Sequence, residues 1–413
     1  MNGNLQIYRE DYDKIIFRIS IFLMIFQSCG IRFFQGIGTI LLIIVLFFNI
    51  SSIMQLYRRE KVILLSVISF LFFYMIYSRS FSAGYYQVLL VITPFFFLKK
   101  YQMKRGFDKL QSDIVFVLHY IYIHAFCGYL AYLFLGAFFK YVHIEELTYK
   151  TFLYLFYVSP GVSLVEGLYR NVGIFWEPGL LQFFLNLYFF LLMISGKCTK
   201  VKVVLITINV FFTNSTTGFL LLLINYIYYF SFYQKLALKY LLLGIISIII
   251  ISPIIINNIE QKFLGKTQTS GQVRTRDMLI GSLLIYEKPF FGHGYYDMDY
   301  LIKNESVNEI DLEVMNEVFV SENGDLSGGY TNGLLDLFIK HGIPFSLLFL
   351  FLFYKNKICN TTKSRIFFLL LCIMTFISEP ITNTSFFYMI LLSSIFINKK
   401  PEDETNINCY CNI

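Results

Sequence analysis

The chain has 413 residues, of which 56% are hydrophobic and only 15% charged, and its formal net charge is +7. A water-soluble domain of this size has no use for so many long apolar runs, so the composition excludes that class and leaves a polytopic membrane protein. The positive charge is concentrated in short loops between those runs, which makes it a topology signal and gives no reason to invoke nucleic acid.

Runs close to the roughly 20 residues that cross about 30 Å of hydrocarbon predict about twelve spans: 15–30, 37–53, 62–78, 83–98, 113–138, 178–195, 201–213, 216–232, 237–256, 331–353, 365–378 and 382–397. The expected fold class is all-α, a transmembrane helical bundle with a large outward-facing loop containing short helices. The chain divides into N-terminal spans (1–138), a first long loop (139–177), central spans (178–256), a large polar loop (257–330), C-terminal spans (331–398) and a tail (399–413). The first twelve residues are polar and the first span is retained, so no cleavable signal is predicted. Alternate loops carry the cations: Arg58, Arg59 and Lys61; Lys99, Lys100, Lys104, Arg105 and Lys109; Lys197, Lys200 and Lys202; Lys355, Lys357, Lys363 and Arg365. Positive-inside logic puts this set and both termini in the cytoplasm, and the 139–177 and 257–330 loops outside. None of the seven cysteines lies in either outer loop, so no disulfide framework is implied. No internal repeat supports an inverted-repeat transporter.

Within the first outer loop, the aromatic stretch Tyr149–Val158 is expected to be an interfacial or re-entrant helix. The loop ends in Arg170-Asn171-Val172-Gly173-Ile174-Phe175-Trp176-Glu177-Pro178-Gly179. Two readings of Glu177 stand side by side: an acid complementing a helix start with Pro at its first position, or a general base at the membrane–water border. Trp176 is an interfacial anchor or a sugar platform. Asn214-Ser215-Thr216-Thr217-Gly218 makes a polar turn that can cap the following span.

The large loop begins basic (Lys262, Lys266, Arg274, Arg276) and continues acidic. Helical apolar spacing predicts short helices over 278–286 and 307–319. Arg274 and Arg276 offer planar donor forks that match phosphate oxygens; contact with lipid headgroups or with the acidic half-loop is the plain alternative. In Gly292-His293-Gly294, the histidine is a base, a phosphate contact or simple surface. Asp336 and Lys340, four residues apart, are expected to pair, and Glu379-Pro380 places near the outer end of a span either a buried acid or a residue that supports the site from behind. A phosphate-binding Gly-rich Lys loop, a zinc helix motif and a Ser nucleophile elbow are absent from the sequence.

Four landmarks in this order resemble the O-antigen and capsular polysaccharide polymerases of the Wzy type and the related O-antigen ligases: RNVGIFWEPG at 170–179, NSTTG at 214–218, VRTRDMLIGSLLIYEKPFFGHG at 273–294 and YTNGLLDLFIKHGI at 330–343. The ligases carry a His-Asn pair where this chain has Thr331-Asn332, and many relatives carry Arg where it has Thr216 and Thr217. The resemblance implies a polymerase in the bacterial cytoplasmic membrane that uses undecaprenyl-diphosphate-linked oligosaccharide, with ligase or flippase as alternatives. It implies Glu177, then His293, then Glu379 as the base, and Arg170, Arg274 and Arg276 on the diphosphate. Trp176, Tyr330 and Asn332 become substrate contacts. The activated donor needs no cofactor or metal, and the pathway's chain-length regulator and flippase are the expected partners beside membrane lipid.

Overall fold

The computed structural model describes residues 2–31, 36–78, 81–144, 147–160, 169–233, 268–295 and 332–396. The expected span 237–256, the helix at 307–319, Tyr330 and the 399–413 tail lie outside them. Twelve α-helices are described: α1 (Asn2–Cys29), α2 (Ile37–Asn49), α3 (Arg58–Tyr77), α4 (Phe81–Lys104), α5 (Leu110–Leu135), α6 (Pro178–Ile194), α7 (Lys200–Thr213), α8 (Thr216–Tyr228), α9 (Gln268–Glu287), α10 (Gly333–Tyr354), α11 (Thr362–Ser378) and α12 (Ser385–Ser393). Four helical stretches are long and apolar enough to cross a membrane: Ile37–Gln55, Arg58–Tyr77, Phe107–Phe138 and Gly333–Tyr354. The expected count of about twelve is therefore not reached among the described residues. Pro178–Ile194 and Thr216–Phe232 are apolar but shorter, and 17 helical residues rise only about 25 Å.

The all-α expectation is corrected by a four-stranded antiparallel sheet, β1 (Lys140–Ile144), β2 (Leu147–Phe152), β3 (Phe156–Ser159) and β4 (Arg170–Gly173), in the order β1-β2-β3-β4. The stretch expected as an interfacial helix forms β2 and β3. Its residues are aromatic and β-branched and fit a pleated, half-buried surface. Tyr149 and Thr151 face inward while their neighbours are less buried, a period of two that a helix cannot satisfy. Leu153 and Tyr154 make the reversal at φ +55° and +56°, and Leu155 N closes it on Phe152 O at 3.1 Å.

The central element is α6, in which every residue from Pro178 to Met193 is buried. A helix apolar all round belongs inside a bundle, and β4, α5, α7, α8 and α11 pack around it. Packing sorts the loops to two ends. At one end Arg18 Nε and Arg105 Nε reach the two carboxylate oxygens of Asp113 at 2.8 and 2.9 Å, and Lys357 N bonds Ser393 Oγ at 3.0 Å. At the other lie the sheet, the α7–α8 turn and the 379–384 segment.

Candidate functional site

The sheet and the start of α6 form one mechanical unit. Beyond β4, Gly173 turns the chain at φ +58°, a conformation glycine adopts without strain. The three residues that follow are pinned from both sides. Ile31 N donates to Ile174 O at 3.0 Å and Trp176 N to Cys29 O at 3.2 Å; Tyr149 OH donates to Trp176 O at 2.7 Å. This sets Glu177 as the N-cap of α6, its backbone extended and its carbonyl accepting from Leu180 N at 3.2 Å. Pro178 takes the first helical position, where its missing N–H is no loss. The half-buried Glu177 side chain makes no capping bond to α6.

A second acid meets the same helix start. Glu379, 3% exposed, ends α11 with its N–H on Thr375 O at 2.8 Å. Its carboxylate lies against the backbone of Gly179, so closely that a Cβ there would stand 1.8 Å from Oε1. Its carbonyl is covered by Gly333, where a Cβ would stand 2.7 Å from Glu379 O. Two glycines, in the first turns of α6 and α10, thus let both helices close on one acid. Thr382 Oγ1 donates to Gly333 O at 3.1 Å, and Thr384 accepts from Phe387 N at 3.0 Å to start α12. Three helix N-termini therefore meet around 379–384. Their orphan N–H groups and aligned dipoles favour anions there.

Behind this group runs a polar network. Lys340 Nζ bonds Asp336 Oδ2 at 2.8 Å, the pairing expected from their spacing, and Asn383 Nδ2 reaches the same oxygen at 3.1 Å. Tyr388 OH lies 3.3 Å from Asn383 Oδ1 and 3.4 Å from Gln87 Oε1. Ser385 Oγ lies 3.0 Å from Met24 O. Together these bonds tie α10 and α12 to α4 and α1.

Arg170, half-buried on β4, donates from Nε to Thr213 O at 3.0 Å. That puts it beside the Asn214–Gly218 turn, in which Ser215 Oγ accepts from Gly218 N at 3.3 Å and caps α8. The first turn of α8 rests on α6, with Asn186 Nδ2 donating to Gly218 O at 3.3 Å. Arg170, the α7–α8 turn, Glu177, Glu379 and Asn332 thus share the end of the bundle around α6. Asn332 is the N-cap of α10, its Oδ1 accepting from Leu335 N at 3.0 Å. Trp176 is half-buried and packs beside Ile31, Tyr149 and Val172.

The structure does not bring His293 to this group. The residue is fully buried in the turn after α9, with Nε2 2.9 Å from Leu284 O and Nδ1 3.3 Å from Lys288 Nζ. Its N–H bonds Ile339 O at 2.7 Å, about two turns along α10. The flanking glycines have a packing role: Gly292 and Gly342, at φ +64° and +72°, face each other where α10 breaks, and Tyr74 OH secures the turn on Phe291 O at 2.8 Å. Arg274 and Arg276 lie on the helical backbone of α9, which extends further toward its N-terminus than the 278–286 expectation; their side chains lie outside the described residues, as does Tyr330. Gly179, Gln87, Asn383 and Tyr388 were not singled out from sequence. Their importance comes from contacts between residues far apart in the chain, Gly179 with Glu379, Asn383 with Asp336 and Tyr388 with Gln87, although a Gln inside an apolar span is a signal worth following.

No curated protein and no solved structure matches the chain. Residues 201–350, from α7 into α10, match the family model described as O-antigen ligase (Wzy_C), and the match supports the O-antigen polymerase/ligase superfamily for this protein.

Proposed function

We propose that this protein polymerises lipid-diphosphate-linked oligosaccharides at the outer face of the bacterial cytoplasmic membrane. The observation that carries the reading is the meeting of three helix N-termini around Glu379 and Glu177. Such a site favours negative charge, and a sugar diphosphate is an anionic leaving group. In the reaction, a hydroxyl oxygen of the acceptor sugar attacks the donor's anomeric carbon. The bond from that carbon to the diphosphate oxygen breaks, its electrons leave with the diphosphate, and the hydroxyl proton passes to a base.

Glu177 is the base in this scheme. It stands at the border of the bundle, held by β4 and α1, whereas Glu379 is sealed between Gly179 and Gly333 and acts by positioning the α6 N-terminus. Arg170, with Arg274 and Arg276 of α9, supplies charge to the diphosphate as it departs. Trp176, Tyr330 and Asn332 complete the substrate contacts. The undecaprenyl carrier, the chain-length regulator and the flippase belong to the same proposal. Transfer of finished glycan to an acceptor, the ligase reaction, is favoured by the description of the matching family; Thr331, where ligases of the resemblance carry histidine, favours the polymerase.

The test is the surface glycan of a deletion strain complemented with wild type or with Arg274→Ala/Arg276→Ala. Loss of the polymer ladder, with single repeats still attached to their acceptor, is expected. Loss of all attached glycan, with polymer stranded on its lipid carrier, makes the protein a ligase. A normal ladder from the double variant at equal protein level removes the diphosphate role of these arginines.

A further inference from the structure

At the end of the bundle opposite Glu379, a cleft of about 270 Å³ opens between α1, α5, α6 and the start of α7. Arg18, Lys197 and Lys202 line it together with Ser112, and its apolar wall includes Phe116 and Leu192. The nearest acid is already engaged: Asp113 accepts from Arg18 through one oxygen and from Arg105 through the other. Among the described residues, no carboxylate lies within ion-pair distance of Lys197 or Lys202. Three cations thus face one cavity whose lining contains no acid. An anion placed among them can accept charge-assisted hydrogen bonds from all three. Arg18 is held in place for such a contact, with its Nε on Asp113 and its guanidinium 3.5 Å over the Phe116 ring.

The cleft also continues into an apolar surface. Phe116, Tyr120 and Ile123 follow one face of α5, spaced by four and three residues, and all are exposed. Val201, Val204 and Ile208 do the same on α7. Both strips run from the cationic cleft along the bundle, as an acyl chain runs from its headgroup. A soluble anion needs the cations alone; a lipid uses both features.

We propose that this cleft binds an anionic phospholipid, with the headgroup phosphate among Arg18, Lys197 and Lys202 and the acyl chain along α5 and α7. A basic pocket between helices at the cytoplasmic end of a bundle suits such a headgroup, and the loop charges place this end in the cytoplasm. The site is separate from the glycan chemistry and does not depend on it.

Native mass spectrometry of the full-length protein in neutral detergent tests this, with phosphatidylglycerol and phosphatidylcholine added in parallel. Wild type is expected to retain phosphatidylglycerol preferentially. Each lysine near a lipid phosphate is worth about fivefold in affinity, so Lys197→Gln/Lys202→Gln is expected to lose at least tenfold. The exposed Lys197 alone, as Lys197→Gln, is expected to lose about fivefold and serves if the double variant does not fold. Equal retention of both lipids, or unchanged affinity in the variants, overturns the proposal. Displacement of phosphatidylglycerol by equimolar inorganic phosphate also overturns it, because the cleft would then be a site for free anions.

Discussion

Gly179→Ala separates two physical effects that act in opposite directions. Alanine is the better helix former by about 1 kcal/mol, so a free helix start would gain stability. In this fold the new Cβ would stand 1.8 Å from Oε1 of Glu379 and 2.4 Å from its Cδ. Glu379 is 3% exposed, so its carboxylate has little free space to swing into. Restoring ordinary contact requires a movement of roughly 1.5 Å by α6 or by the carboxylate, and overpacking of that kind costs about 1–3 kcal/mol. Losing the carboxylate from the helix start adds about 0.3–1 kcal/mol. The net expectation, after the propensity gain is subtracted, is destabilisation by about 0.3–3 kcal/mol and, with Glu177 two residues away, a loss of glycan synthesis of about 10²-fold from misplacement on the ångström scale. Melting followed by fluorescence-detected size exclusion, and the surface glycan ladder at matched protein level, are the assays. Gly179→Ala/Glu379→Ala provides the control: removing the obstructing atoms should make alanine at 179 harmless to stability, giving a coupling energy well above the ~0.5 kcal/mol scatter of independent sites. Wild-type melting and ladder in Gly179→Ala, or zero coupling in the cycle, would refute the contact.

Other outcomes follow from the same packing. Asp336→Ala leaves the Lys340 ammonium and the Asn383 amide without their shared acceptor and should cost about 3 kcal/mol, whereas Asp336→Leu/Lys340→Met should stay within about 1 kcal/mol of wild type; thermal melts of the two decide it. Tyr149→Phe removes the bond to Trp176 O, about 1 kcal/mol, and should shorten the glycan by loosening Glu177. Tyr157→Phe, whose hydroxyl donates to Tyr154 O in the β2–β3 turn, should leave the glycan unchanged, and equal ladders from both variants would count against the role of the Tyr149 bond. Burial pushes the Cys198 thiol from near 9 up to about 11, against the opposing influence of the Lys202 ammonium. The folded state therefore favours the neutral thiol: its stabilising effect is complete below pH 9 and is lost as the pH rises toward 11. Maleimide labelling at Cys198, read from its own peptide by mass spectrometry because Cys127 is exposed, should be about 100-fold slower at pH 8 in the native protein than after unfolding in detergent, since the thiolate is the nucleophile. It should gain about tenfold per pH unit toward 11, and a flat pH profile would exclude a buried thiol at this position.

Much of the architecture was legible because hydropathy and charge act locally. The described apolar runs became helices, Arg18, Lys197 and Lys202 gathered around one cleft, and Pro178 marked the start of α6. Asp336 and Lys340 were legible for the same reason, since four residues make one helical turn. The sheet was misread because an aromatic stretch beside a span satisfies the composition of an interfacial helix. The period-two burial of β2 is settled by its partners β1 and β3, as burial of alternate residues requires a surface to pack against. His293 sits between two glycines that suggest a functional turn, but Gly292 serves the close approach to the break in α10 at Gly342 and Gly294 the approach to Ser78.

The candidate site divides along the same line. Sequence alone determined that the chain is apolar and helical, that its charges mark two ends, and that Arg170 and Glu177 sit just before a helix start, because each of these depends on neighbours within a few residues. Only the tertiary structure decided that Glu379 lies on Gly179, that Gly333 covers its carbonyl, and that three helix N-termini meet there. Those contacts join residues about 50 to 200 positions apart, and a missing side chain at a glycine shows its purpose only when the atoms that fill its space are known.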